Sequence, residues 1–278
     1  MNKKIGFILV LLLVSVMMVG SVSAGFFDFL GGGSSGNQTA NDNNTFVVGF
    51  EPTLAPFGYK DANGNYTGFD LDLAKEVCKR NNWTFKAQPT EWDAKDKELN
   101  SGSIDCFWNG FTIDGRENDY TWSNPYLENR QVFVVKSNSS INNVSDLSGK
   151  TVETQKNSTM VDALNGNNKT IKDKFANLTE VTDFDTAFKD LKSGSCDAVA
   201  MDSGVAEYNI KNSNASADDF KILNETIKTE KYGVGFKKGN DALKDKVQTT
   251  LDEMFKDGTV AKIADKYGIS QDSLIQPK

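Results

Sequence analysis

The sequence predicts an α/β protein built as two lobes of similar plan, and three observations carry that reading. Apolar strand-like runs alternate with amphipathic helical patterns from residue 46 to 267, the punctuation of βαβ units with mainly parallel sheets. About 230 residues follow Thr45, enough for two lobes of about 100 residues each. A helix-to-strand passage also recurs. Segments 93–106 and 186–198 each close a helix with Ser-Gly-Ser and open an apolar strand beside an Asp, Asp105 in one and Asp197 in the other. The Gly of each supplies a left-handed helix stop.

The elements follow in order. Lys3 and Lys4 precede an apolar run at 5–19, and Ser21-Val22-Ser23-Ala24 offers small residues for cleavage, so 1–24 reads as a secretory signal peptide. An uncleaved anchor is the rival, disfavoured because a span needs roughly 20 apolar residues. No cysteine follows the run, which excludes a lipid-modified N-terminal cysteine. Residues 25–44, rich in Gly, Ser, Asn and Asp, predict a flexible tether. Strands are expected at 46–50, 83–88, 104–108, 131–136, 151–154, 180–184, 198–201, 220–223 and 233–237. Helices are expected at 69–79, where Phe69, Leu73, Ala74 and Val77 share a face, and at 94–100, 160–165, 171–175, 185–193, 204–211, 241–257 and 260–267. Residues 52–59 read as an irregular loop and Asn63-Gly64-Asn65 as a turn.

Composition removes several function classes. A net charge of −7 argues against nucleic acid, which calls for a basic surface. The chain has no histidine, so Ser-His and Cys-His nucleophile pairs, common zinc sites and an imidazole base are excluded, and neither a metal nor a cofactor is expected. Cys78, Cys106 and Cys196 lie in or beside apolar segments without metal spacing, which favours buried free thiols over a disulfide. N-x-[ST] sequons stand at Asn37, Asn43, Asn65, Asn82, Asn138, Asn143, Asn157, Asn168, Asn177, Asn214 and Asn224, and their frequency fits a glycosylated cell-surface protein.

The segment Asn109-Gly110-Phe111-Thr112-Ile113-Asp114-Gly115-Arg116 carries the chemistry. It puts a bare Gly backbone, a hydroxyl and a guanidinium within eight residues. A guanidinium fork matches a carboxylate bidentately, so the segment reads as a carboxylate seat; an Arg capping a surface turn is the competing reading.

Several motifs in order then resemble one family. They are Val48-Gly49-Phe50-Glu51 with Ala55-Pro56-Phe57, Gly68-Phe69-Asp70-Leu71-Asp72-Leu73-Ala74, Trp92-Asp93, and Gly110-Phe111-Thr112-Ile113 with Arg116. Further along stand Trp122-Ser123-Asn124-Pro125-Tyr126, Asp146 to Val152, Cys196 to Asp202, Tyr232 to Phe236 and Asp257-Gly258-Thr259. The chain resembles the polar amino-acid-binding proteins of ABC importers, family 3 solute-binding proteins with a type II periplasmic-binding-protein-like fold.

The resemblance implies a monomeric receptor, not an enzyme, that closes two lobes around a free polar or basic amino acid, cystine among the candidates, and delivers it to a membrane permease. Lobe one is then 45–126 plus 233–278, lobe two 131–228, with hinges at 127–130 and 229–232. Arg116 takes the ligand's α-carboxylate, helped by the Thr112 hydroxyl and backbone donors near Gly110 and Thr112, and Asp202 takes the α-ammonium from the other lobe. Gln155, Ser158 and Thr159, in a loop opening a helix, add to the carboxylate seat. The family usually has Gly where Asn157 stands, and Asn tolerates the left-handed conformation that a Gly there implies; a glycan on Asn157 would obstruct the cleft. Glu51, Leu54, Trp92 and Asn109 set side-chain specificity. Glu51 favours a cationic or donor-rich ligand, whereas Leu54 replaces a frequent aromatic ring and weakens the case for arginine or histidine. Trp108 reads as core or cleft wall. A cyclohexadienyl or arogenate dehydratase on the same fold is the alternative, with Glu51, Glu153 or Glu207 as acid/base; a sensory ectodomain and a structural glycoprotein explain less.

Overall fold

The computed structural model describes residues 44–212 and 219–277. The signal-peptide and tether readings up to residue 43, and the sequons at Asn37, Asn43 and Asn214, lie outside the described residues. The chain runs β1 (Thr45–Phe50), β2 (Thr53–Leu54), β3 (Gly58–Lys60), β4 (Tyr66–Thr67), α1 (Phe69–Arg80), β5 (Thr84–Pro89), α2 (Lys95–Ser101), β6 (Cys106–Phe107), β7 (Thr121–Trp122) and β8 (Leu127–Lys136). It continues with β9 (Thr151–Gln155), α3 (Thr159–Asn165), α4 (Lys169–Lys172), β10 (Asn177–Val181), α5 (Phe184–Ser193), β11 (Ala198–Asp202), α6 (Ser203–Asn212), β12 (Phe220–Ile222), β13 (Lys228–Tyr232), β14 (Gly235–Phe236), α7 (Asp241–Lys256) and α8 (Thr259–Tyr267).

Two mixed sheets result, one per lobe. The first has the order β5-β1-β6-β14-β7 and the second β10-β9-β11-β8-β12, with β13 also paired to β8. In each, three strands are parallel, β5-β1-β6 and β10-β9-β11. Antiparallel strands complete both sheets. A small antiparallel sheet, β2-β3-β4, occupies part of the region expected to be an irregular loop. Its two- and three-residue strands are too short to show a periodic pattern.

The repeated passage has a physical basis. Gly102 after α2 and Gly194 after α5 both stop their helices in the left-handed conformation, with φ of 77° and 87°. The Asp that follows then ties the sheet: the Asp105 carboxylate accepts the Val47 N–H at 2.7 Å, and Asp197 accepts the Thr151 N–H at 2.9 Å. Each device locks the start of the lobe's central strand to the strand after the helix. Helix α5 buries Phe184, Ala187, Phe188 and Leu191, a stripe at helical spacing. The strand expected at 180–184 starts earlier, at Asn177, because Asp183 caps α5 by accepting the Thr186 N–H at 2.8 Å.

Gly68 explains part of the Gly68-Phe69-Asp70 motif. Its φ is 139°, and a Cβ there would fall 2.2 Å from the Phe57 carbonyl oxygen. That close approach lets the Phe69 and Asp70 N–H groups bond the carbonyls of Pro56 and Phe57 at 2.8 and 3.0 Å, fastening α1 to the loop that carries Leu54. Cys78, Cys106 and Cys196 are free and buried. Among the described residues no helix is long and apolar enough to cross a membrane.

The chain passes between the sheets along β8 and β13. These strands pair antiparallel, Leu127 opposite Tyr232 and Gln131 opposite Lys228. Alternation along β8 sends Leu127, Asn129 and Gln131 inward and leaves Glu128 and Arg130 exposed. The inward amides stand beside the end of β11.

Candidate functional site

Arg116 is placed by the turn that follows β6. Gly110 and Gly115 adopt positive φ, 54° and 88°, and the Trp122 indole N–H bonds the Arg116 carbonyl at 2.9 Å. The guanidinium lies 5.4 Å from the Trp92 ring and 5.7 Å from Phe111, the stacked arrangement that leaves a guanidinium edge open. Its hydrogen bonds go to carbonyls, Thr112 at 3.4 Å and Asn157 at 3.2 Å. Among the described residues no carboxylate pairs with it.

Thr112 is fixed by the crossing strand. The bonds Ile113 N–H to Lys231 and Gly233 N–H to Phe111, 2.9 and 3.0 Å, make Thr112 and Tyr232 the non-hydrogen-bonded pair of an antiparallel bridge. The Thr112 N–H therefore points away from β13. Gly110 is different: its N–H is held by the Asp70 carboxylate at 2.6 Å, which also accepts the Tyr126 hydroxyl at 2.9 Å. The backbone donor expected at Gly110 is thus committed to Asp70 in the first turn of α1.

Asp202 ends β11 and is 9% exposed. Its Oδ1 accepts from Asn129 Nδ2 at 2.6 Å and Gln131 Nε2 at 3.0 Å. The same two amides donate to Glu230 Oε1 at 3.0 and 2.8 Å, so two buried carboxyls share one pair of donors. Thr159 donates to Glu230 Oε2 at 2.6 Å. Burial, then the Glu230 charge, pushes the Asp202 carboxyl well above the ordinary carboxylate range. The Tyr232 hydroxyl lies beside Asp202 without a hydrogen bond of ordinary geometry.

The two halves meet across a cleft. Asn157 adopts φ 55°, the left-handed conformation expected for it, and its carbonyl accepts from both Arg116 and the Trp92 indole, the latter at 3.3 Å. Its side-chain amide donates to Asp93 at 2.9 Å, and Lys156 pairs with Asp93. Deeper in, Gln155 Nε2 donates to both Glu51 oxygens at 2.9 and 3.0 Å. Burial pushes the Glu51 carboxyl up to about 7; the Gln155 bond opposes this, and the charges of Asp183, Glu91 and Asp185 add to it.

A sequence model of the bacterial extracellular solute-binding proteins, family 3, matches residues 46–270. The chain belongs to this family. It is 30% identical over 226 residues to the L-cystine-binding protein TcyJ of Escherichia coli K12, covering 80% of this chain and 82% of TcyJ. It superposes on a substrate-binding protein of a Streptococcus pneumoniae ABC uptake transporter with bound histidine at a TM-score of 0.78, with 32% identity, covering 82% of this chain and 94% of the other. An ancestral arginine-binding protein bound to arginine matches at a TM-score of 0.72 and 40% identity, covering 81% and 98%. The two-lobed type II periplasmic-binding-protein fold is therefore established.

Within this family 3 protein the residues singled out from sequence divide into three groups. Arg116, Trp92, Glu51 and Gln155 take part in contacts between the two lobes, Thr112 bridges to Tyr232 of β13, and Asp202 lies beside β8. Asn109 is a strut, its Oδ1 accepting the Glu51 N–H at 2.9 Å and its amide packed under Gly58, and Leu54 is buried beside Gly110. Ser158 caps α3 through the Val161 N–H, and the Thr159 hydroxyl donates to Glu230 and accepts from Gln131. Trp108 is fully buried against Tyr126, a core residue. Glu153 is buried near Asp190, which α5 carries. Glu207 lines a separate groove of about 850 Å³ on the outer side of the crossing strands, 3.8 Å from Arg130. Sequence reading missed Glu230, Asn129 and Gln131, three polar residues whose inward alternation on the two crossings appears only in the folded chain.

Proposed function

We propose that this solute-binding protein captures a free polar or basic amino acid between its lobes and delivers it to an ABC importer permease. The observation that carries this reading is a guanidinium and a carboxyl on opposite lobes, neither of which has a partner of opposite charge among the described residues. The Arg116 guanidinium has only carbonyl partners, and Asp202 has amide partners with no cation of its own. A zwitterion supplies the missing opposite charge to each, and its own desolvation is then offset at both ends. Arg116 receives the α-carboxylate with the outward Thr112 N–H and hydroxyl beside it. Asp202 receives the α-ammonium.

The side chain would extend toward Glu51, Gln155 and Trp92. Glu51, with Asp183, Glu91 and Asp185 around it, favours a cationic or donor-rich end group, in keeping with relatives named for histidine, arginine and cystine. Asn157, Lys156 and Asp93 close the rim, so contacts made only in the closed state favour closure. The two crossing strands act as hinges between lobe one, 45–126 with 233–278, and lobe two, 131–228.

The dehydratase reading needs an acid/base group in the cleft. Glu153 and Glu207 stand elsewhere, and Glu51 is tied to Gln155, which supports capture without turnover. Calorimetry against the twenty amino acids, cystine and ornithine tests the proposal. A polar or basic amino acid should bind one-to-one without being consumed; no binding by any of them, or conversion of prephenate or arogenate, would refute it.

A further inference from the structure

The buried cluster at the end of β11 contains more negative charge than a single ammonium contact requires. Asp202 from β11 and Glu230 from β13 each accept hydrogen bonds from the same two nitrogens, Asn129 Nδ2 and Gln131 Nε2. Asp202 is 9% exposed and Glu230 1%. Two carboxylates this close cannot both stay ionised in a buried site without a cation between them. The groups facing them are few. From β8 come Asn129 and Gln131, from α3 the Thr159 hydroxyl, from α6 Ser203 behind Asn129, and from β13 Tyr232 and Lys228. Lys228 Nζ lies 3.7 Å from Glu230 Oε2, on the side away from the oxygen shared with Asp202. Among the described residues it is the one cation paired with either carboxyl.

Two buried polar atoms beside the pair lack partners, Gln131 Oε1 and the Tyr232 hydroxyl. An ammonium carries three donors, and Gln131 Oε1 is an acceptor left over after both carboxyls are counted. Resting on the capture reading above, we propose that Glu230 is a second anionic partner of the ligand's α-ammonium, and that amino-acid capture expels a proton held by Asp202 in the empty cleft. The balance is direct. In the empty protein the two carboxyls hold one proton, nearer Asp202, and one negative charge between them. The arriving ammonium keeps its three protons, the Asp202 O–H bond breaks, that proton passes to solvent, and two carboxylates then face one ammonium. The buried net charge changes only by the ammonium's own +1 and the proton's departure, so it stays at −1. Desolvation, then the Glu230 charge, raises the Asp202 carboxyl, in line with a proton there before ligand arrives.

Two other groups of similar character must be separated from Asp202. Glu51, also raised to about 7, lies at the other end of the cleft and is a second source of a ligand-linked proton. Asp70, raised to about 7, bonds Gly110 and Tyr126 and neither Arg116 nor Asp202. The test is calorimetry with L-arginine and L-glutamine, neither of which titrates near neutrality, in buffers of differing ionisation enthalpy. Wild type should release about one proton per ligand near pH 6, with affinity rising up to tenfold per pH unit. Glu230→Gln should bind with less proton release and a shallower pH dependence in that window, while Glu51→Gln should release as much as wild type. Binding without release in wild type, or release that survives Glu230→Gln and vanishes in Glu51→Gln, overturns the inference. Binding of no amino acid at all would instead refute the capture reading. The free protein gives a ligand-independent arm: by carbon-13 carboxyl NMR, Asp202 should titrate above the ordinary carboxylate range and move down in Glu230→Gln. An Asp202 carboxyl already ionised at pH 5 in wild type would also overturn it.

Discussion

Asp70 holds the Gly110 N–H and the Tyr126 hydroxyl with no cation beside it among the described residues. Burial raises its carboxyl to about 7 against the two hydrogen bonds that oppose the shift. An acid whose folded pKa lies above its unfolded value keeps its proton longer in the folded state. Its contribution to stability is present in full below pH 3.8 and is lost as pH rises to about 7. Asp70→Asn removes that dependence. In urea unfolding, the stability of the variant relative to wild type should therefore rise between about pH 4 and pH 7, by up to roughly 4 kcal/mol at 1.36 kcal/mol per pKa unit; a difference that stays flat across this range would contradict the account. The Asp70 motif was legible in sequence, but its partners were not, since nothing local links it to a glycine 40 positions away. Glu230 was illegible for another reason. In Lys228-Thr229-Glu230-Lys231-Tyr232 the inward face carries a charge where an apolar residue would mark a strand, and so the period of two gave no hydrophobic signal.

At the scale of elements, the loop after β9 meets the 3-10 turn Trp92–Ala94 as a rim latch. Asp93 takes both Lys156 and the Asn157 amide, while the Asn157 carbonyl takes Arg116 and Trp92. Asp93 and Asn157 are exposed and Lys156 half-buried, so each contact of Asp93 contributes modestly, on the order of 1 kcal/mol or less. Asp93→Ala should accelerate ligand dissociation by about twofold to fivefold in stopped-flow measurements while leaving association nearly unchanged; an unaltered dissociation rate would show that the latch does not hold the closed form. The left-handed Asn157 in this loop could be foreseen from its residue type. The partners across the cleft required the folded chain. Long helices and the two Ser-Gly-Ser stops were legible because periodicity and glycine mark them directly. Strands β2, β3, β4, β7 and β13 were not, being too short or too polar to carry a pattern.

For the whole molecule, the register of β8 with β13 decides how the charges of the two lobes relate. The crossing strands bring Asn129 and Gln131 to Asp202, while the bridge at Tyr232 fixes Thr112 and so the turn that carries Arg116. One pair of crossing strands thus supports both ends of the proposed clamp, which is how residues some 85 positions apart could serve one ligand. Two-lobed architecture was legible, and both residues of the proposed clamp could be nominated, because these readings rest on ordered motifs spread along the chain. The network that supports them arises from pairing between distant strands, which no window of sequence contains. The central claim is that Arg116 and Asp202 together hold an amino-acid zwitterion, and calorimetric titration of L-arginine into wild type, Arg116→Ala and Asp202→Ala tests it most directly. Loss of one partner of a buried pair costs about 3 to 5 kcal/mol, so each variant should bind at least 100-fold more weakly than wild type, and agmatine, which lacks the carboxylate, should fail to distinguish wild type from Arg116→Ala; a variant that binds L-arginine within threefold of wild type would contradict the account.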